Sequence, residues 1–130
     1  MKLTNNQAIL AQQALKQIVM LELPVKTSLE IVRLSQLVDQ QISEAMVVRN
    51  LLVNKYRLKV KAGAEAQPVF TFKDDISEEE KIKALERFTK DIDELMIAKG
   101  IEIDVVINIP NEVNIKPELL KPIRECIRVQ

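Results

Sequence analysis

Lys55, Arg57, Lys59 and Lys61 stand at every second position of the stretch KYRLKVK, a spacing that aligns cations on one side of an extended strand. A row of cations neutralises phosphates, so an anion or a nucleic acid is the ligand this pattern would contact. No aromatic side chain interleaves on that side for base stacking, and the net charge of the chain is zero. Lysines that guard a strand edge against aggregation are the weightier reading.

Other reactive types are sparse. Asp91 and Glu94 share a helix face at i, i+3, with Asp74 and Asp75 just upstream, and such oxygens suit a hard cation. Set among Lys83, Arg87 and Lys90, they read more simply as a solvated face with local ion pairs. Cys126, between Ile123 and Ile127, reads as a small buried hydrophobe whose only candidate activators are Lys121 and Arg124. Tyr56 reads as a packed ring with its hydroxyl in water, and Met20, Met46 and Met96 as core filler.

Histidine is absent, which removes the commonest general base and zinc ligand together with every Ser-His or Cys-His arrangement. The glycines, Gly63 and Gly100, lie too far apart to build a phosphate-cradling loop. The expectation is a protein that is not an enzyme, with no catalytic residues, no cofactor and no metal.

The elements that hold these residues follow from periodicity. Thr4-Asn5-Asn6-Gln7 fits a capping box, and Ala8, Ala11, Leu15, Ile18 and Met20 recur behind it at helical spacing, giving a first helix that ends near Leu23, before Pro24. Pro24 suits the first turn of a second helix, whose stripe runs Ile31, Leu34, Val38, Ile42, Ala45, Val48, Leu52 and Tyr56. The pair predicts an antiparallel helical hairpin.

Beyond Tyr56 the period becomes alternating, Ala62 to Gln67 reads as a turn, and Pro68 to Phe72 reads as a second strand. Ser77 with three glutamates opens a third helix, and Gly100 is placed to end it in the left-handed conformation. The stretch from Ile101 to Ile109 alternates strictly, apolar against polar, as a strand with one buried face. Residues 56–60, 69–72 and 113–115 are its expected sheet partners. Pro117 starts a last helical segment, in which Pro122 should force a kink.

The fold class that follows is α+β, a long antiparallel helical hairpin with a third helix and a small β-sheet. At 130 residues a single domain is expected over 1–130, the hairpin occupying 1–54 and the sheet 55–130 with the helix at 77–99 and a short C-terminal helical segment. No apolar run approaches the roughly 20 residues that span a bilayer, the start MKLTNNQAIL has no secretory apolar core, and one cysteine fits a reducing compartment. Residues 1–61 hold nine Lys/Arg against four Asp/Glu, and residues 62–130 hold ten against fifteen. The halves can neutralise each other internally, or favour contact between copies in a homo-oligomer.

The opening MKLTNNQ, the junction ELPVKTSLEI, the NKY at the end of the long helix and the closing NIKPELLKPIRECI, in that order across most of the chain, resemble a family of small proteins of tailed bacteriophages and prophages, a domain family of unknown function. The resemblance implies a setting, the host cytoplasm or the virion with no membrane involved, and it carries over no site residues. With it the expected function is a non-catalytic phage interaction protein, in particle assembly or as a minor structural component, with a phage or host protein as partner. The alternatives are a phage effector that binds and inhibits a host protein, and a nucleic-acid-binding accessory protein working through the basic row.

Overall fold

The structure, a computed structural model, describes residues 1–62, 68–111 and 113–129, with the side chains of 59–62, 68–70 and 129 outside the description. The turn expected at Ala62 to Gln67 therefore lies mainly outside the described residues. The architecture is α+β, as the periodicities predict. The chain forms two compact units, one of residues 1–44 with 97–130 and one of residues 45–96. The second helix continues from one unit into the other. Each unit is charge-balanced, with nine cations and nine anions in the first and ten of each in the second. The opposite charges of the sequence halves thus disappear once residues 97–130 join 1–44.

In the first unit, β1 (Lys2–Thr4) leads directly into α1 (Asn5–Ile18). The capping box forms as expected: Gln7 N donates to Thr4 Oγ1 at 3.1 Å, and Thr4 N donates to Gln7 Oε1 at 2.9 Å. Helix α1 stops at Ile18, short of Leu23, and the turn that follows leaves Met20 83% exposed rather than in the core. The next helix, α2 (Val25–Lys55), begins where Pro24 O accepts from Ser28 N at 2.9 Å. The proline has no N–H to lose at that position.

Ala8, Ala11, Leu15 and Ile18 of α1 are buried with Ile31, Leu34 and Val38 of α2 in one apolar cluster. Gln12 Nε2 donates to Asp39 Oδ1 at 2.9 Å between the two helices. Each large side chain of this cluster contributes about 1.5–3 kcal/mol by leaving water. The same cluster takes in Ile103, Ile107, Ile109, Ile123 and Cys126.

The alternating stretch is not one strand. It splits into β4 (Lys99–Glu102) and β5 (Ile107–Ile109), separated by irregular backbone. Its partners also differ from expectation: β4 pairs antiparallel with β1, and β5 pairs parallel with β6 (Ile127–Val129). Two short partners running in different senses cannot form one continuous ladder along nine residues. The burial still alternates, with Ile103, Ile107 and Ile109 buried and Glu102 and Asp104 exposed. Before β6, α4 (Pro117–Leu120) passes into a 3₁₀ turn over Lys121–Cys126, and Ile123 leaves helical backbone at φ −120°, directly after Pro122 as expected.

Gly100 lies inside β4 and has no positive φ, so it does not end the third helix in the left-handed conformation. Its lack of a side chain serves a close approach: a Cβ there would overlap the Gln41 amide. Gln41 is only 2% exposed on the buried face of α2, and its Nε2 donates to Leu3 O and to Asn5 Oδ1, both at 3.0 Å.

In the second unit, β2 (Leu58–Ala62) and β3 (Pro68–Phe72) pair antiparallel, Leu58 opposite Phe72. Helix α3 (Glu78–Ile97) starts where Ser77 Oγ accepts from Glu80 N at 3.2 Å. Val53, Leu58 and Phe88 form the buried cluster, with Leu52, Tyr56, Phe72 and Ile92 packed around it. Among the described residues the β-structure is three two-stranded pairs, β1–β4, β2–β3 and β5–β6.

Candidate functional site

The residues of the basic row do not share one strand. Lys55 is the last residue of α2, Arg57 sits in the turn that follows, and only Lys59 and Lys61 fall in β2, their side chains outside the described residues. Arg57 adopts φ 55°, the left-handed region, which interrupts the alternation that an extended row requires. Its Nε lies 2.7 Å from Asp74 Oδ2, and Lys55 Nζ lies 3.8 Å from Asp91 Oδ2.

Asp91 is further engaged by Tyr56, whose hydroxyl donates to Asp91 Oδ2 at 2.6 Å. The Tyr56 hydroxyl is therefore directed at a carboxylate instead of water, and this hydrogen bond to the neutral phenol raises its pKa above the usual 10.0. The ring meets Phe88 edge-on, with centroids 6.1 Å apart. Asp91 and Asp74, both weighed as oxygen donors for a cation, thus each face a basic side chain. Among the described residues no cluster of acids and Cys126 has metal-binding geometry.

Cys126 is buried, and its burial pushes the thiol pKa up, against a smaller lowering by the terminal amine. A raised pKa lowers the thiolate fraction, and with it nucleophilicity.

A second polar group is buried in the first unit. Glu30, on α2, accepts from Asn108 N at 2.8 Å and from Asn108 Nδ2 at 3.0 Å, while Thr27 Oγ1 donates to Asn108 O at 2.8 Å. One strand residue is thus clasped through its backbone and its side chain by two positions of a single helix turn. The arrangement holds β5 against α2.

Exposed large apolar side chains gather at the junction of the helical hairpin, as they do again at Val47, Val48 and Leu51 further along α2. Val19, Met20 and Leu21 of the turn are exposed, and Val25, Leu29 and Val32 are exposed in succession along α2. The last three recur at i, i+4 and i+7, which places them on one helix face. Val25 is 78% and Leu29 53% exposed. Val19 and Val32 also line a groove of about 290 Å³ between α1 and α2, floored by Leu15 and edged by Gln12 and Asp39. Apolar side chains gathered this way mark an interaction surface more often than scattered ones do.

Periodicity alone puts Met20 in the core stripe and gives the junction only a turning role, whereas Met20 is exposed. The available signal was the density of apolar residues from Val19 to Val25, interrupted only by Glu22 and Pro24. Among the described residues no helix is long and apolar enough to cross a membrane. Compared with protein-family models, with curated proteins and with solved structures, the chain finds no match.

Proposed function

We propose that this chain is a non-catalytic interaction protein that binds another protein through the apolar junction of its helical hairpin. The observation that carries the reading is the run Val19, Met20, Leu21, Val25, Leu29 and Val32, exposed on a unit that buries its own apolar cluster. Covering such side chains removes apolar area from water, at about 25 cal/mol per Å². The absence of histidine and the raised thiol of Cys126 leave little for nucleophilic or acid–base chemistry, and so favour binding over catalysis.

The resemblance to small tailed-phage proteins supplies the proposed setting, particle assembly or a minor structural place in the particle. Quantifying the chain against the major capsid protein in purified particles of the source tests it. A fixed stoichiometry supports the assembly role. Absence from particles, with abundance in infected cells, would replace it by the effector that binds a host protein. In either setting, Met20→Asp with Leu29→Asp should abolish capture of the partner without lowering the melting temperature, since both side chains face solvent.

A further inference from the structure

The first unit carries a cleft of about 460 Å³ formed by β1, the start of β4, and the 3₁₀ turn, and Lys2, Lys99, Lys121 and Arg124 all line it. Among the described residues none of these cations lies in an ion pair. Glu125 is the one acid of the lining, and Glu102, the acid of β4, is held at 2.7 Å by the Met1 amine. In a unit whose charges balance overall, this is a local excess of positive charge around a concave surface.

Between the cations the cleft is of mixed character, with Leu3, Pro122 and the half-exposed Leu10 beside the polar Thr4 and Gln7. A neighbouring depression of about 420 Å³ is lined by Pro117, Leu120 and Ile127, and it shares Lys121 and Arg124 with the cleft. Two cations therefore stand between one basic, partly apolar recess and one mainly apolar recess. An occupant that matches both must present carboxylates and apolar side chains within a few residues of each other.

A single-stranded nucleic acid would need stacking platforms beside its phosphates. Every aromatic residue of the chain, Tyr56, Phe70, Phe72 and Phe88, lies in the other unit, 45–96. We infer that the cleft is a docking site for an acidic, leucine-type peptide segment of a partner protein, its carboxylates on Lys2, Lys99, Lys121 and Arg124 and an apolar side chain against Leu120 and Ile127. The inference rests on the proposed binding role only in taking a polypeptide as occupant. It uses a different surface from the hairpin junction, so substitutions at the two surfaces separate the two readings.

The test is fluorescence polarisation with the full chain and a labelled short peptide of alternating glutamate and leucine. Lys121→Glu with Arg124→Glu should weaken binding by about tenfold or more, the equivalent of roughly 1.4 kcal/mol, and rising salt should weaken the wild-type complex. Replacing the leucines of the peptide by serine should weaken it as well. Met20→Asp with Leu29→Asp should leave this affinity unchanged, whatever it does to the partner of the junction. Should the charge reversals lower the melting temperature, Lys2→Gln with Lys99→Gln decides by the same criterion. Equal binding by wild type and variants, equal binding of a lysine–leucine peptide, or tighter binding of oligothymidylate overturns the inference.

Discussion

Gly100 of β4 and Gln41 of α2 occupy what is in effect one side-chain volume: the glycine leaves the space, and the buried amide fills it. The amide nitrogen is committed to Leu3 O and Asn5 Oδ1, so it holds the strand β1 and the start of α1 against the long helix. The same group has a cost, because Gln41 Oε1 is buried with no hydrogen-bond donor among the described residues. An unsatisfied buried acceptor costs about 1–3 kcal/mol.

Gly100→Ala should therefore destabilise the protein by about 1–3 kcal/mol, the usual cost of overpacking, because the new methyl meets a side chain held by two hydrogen bonds. Gln41→Ala empties the space and removes the hydrogen bonds. In the double variant the alanine at 100 should then cost much less than it does alone. A double-mutant cycle from denaturant unfolding measures this coupling, and additive effects would contradict the shared volume.

Glu30 should matter to the same unit for a different reason. Glu30→Ala removes the two carboxylate oxygens that accept from the Asn108 backbone N–H and side-chain amide. Hydrogen bonds to a charged acceptor contribute about 1.5–3 kcal/mol each, so a loss of at least about 1.5 kcal/mol is expected in the unfolding free energy. Hydrogen exchange should locate the loss, with the amide of Asn108 less protected than in wild type. Unchanged exchange there would mean that Glu30 does not hold β5.

Local signals proved readable where the residues that form a feature are neighbours in the chain. Thr4 and Gln7 fold into their capping box, Ser77 caps α3, and Pro122 ends the helical backbone at Ile123. The alternation from Ile101 to Ile109 correctly gives the buried face, since side-chain direction is a property of the strand itself. Its partners were not readable. Lys2–Thr4 and Ile127–Val129 are too short to carry a period, and they come from opposite ends of the chain.

Gly100 and Gln41 show the same limit. A glycine after a helix is most simply a cap, and a glutamine beside Ile42 is most simply a surface residue. Only their juxtaposition in three dimensions explains both. The cleft has no sequence signature for the same reason, because Lys2, Lys99, Lys121 and Arg124 are scattered along the chain, whereas the regularly spaced Lys55, Arg57, Lys59 and Lys61 form a row that the Arg57 turn interrupts.

Tyr56 gives the second unit a spectroscopic reporter, since it is the one tyrosine and the chain has no tryptophan. Its hydrogen bond to Asp91 favours the neutral phenol, so the folded pKa lies above 10.0. The folded state then binds this proton more tightly than the unfolded state. The associated stability is fully present below pH 10 and is lost as pH rises through the folded pKa. Phenolate absorbance should titrate above that of free tyrosine in the wild type and closer to it in Asp91→Asn. A wild-type titration at or below that of free tyrosine would contradict the hydrogen bond.

Arg57 sets a backbone cost against an exposed ion pair. A non-glycine residue at φ 55° bears about 1–2 kcal/mol of backbone cost, which glycine avoids. The ion pair of Arg57 with Asp74 joins two substantially exposed side chains, and pairs of that kind contribute about 0–1 kcal/mol. The backbone effect is the larger. Arg57→Gly should therefore leave stability unchanged or raise it by up to about 1 kcal/mol, whereas Arg57→Val, which loses the ion pair and adds a β-branch in the left-handed region, should lower it. Thermal unfolding in low and high salt separates the terms, because salt screens the ion pair and not the backbone. If Arg57→Gly proved as destabilising as Arg57→Val, the turn would owe its stability to the arginine side chain and not to the backbone conformation that it tolerates.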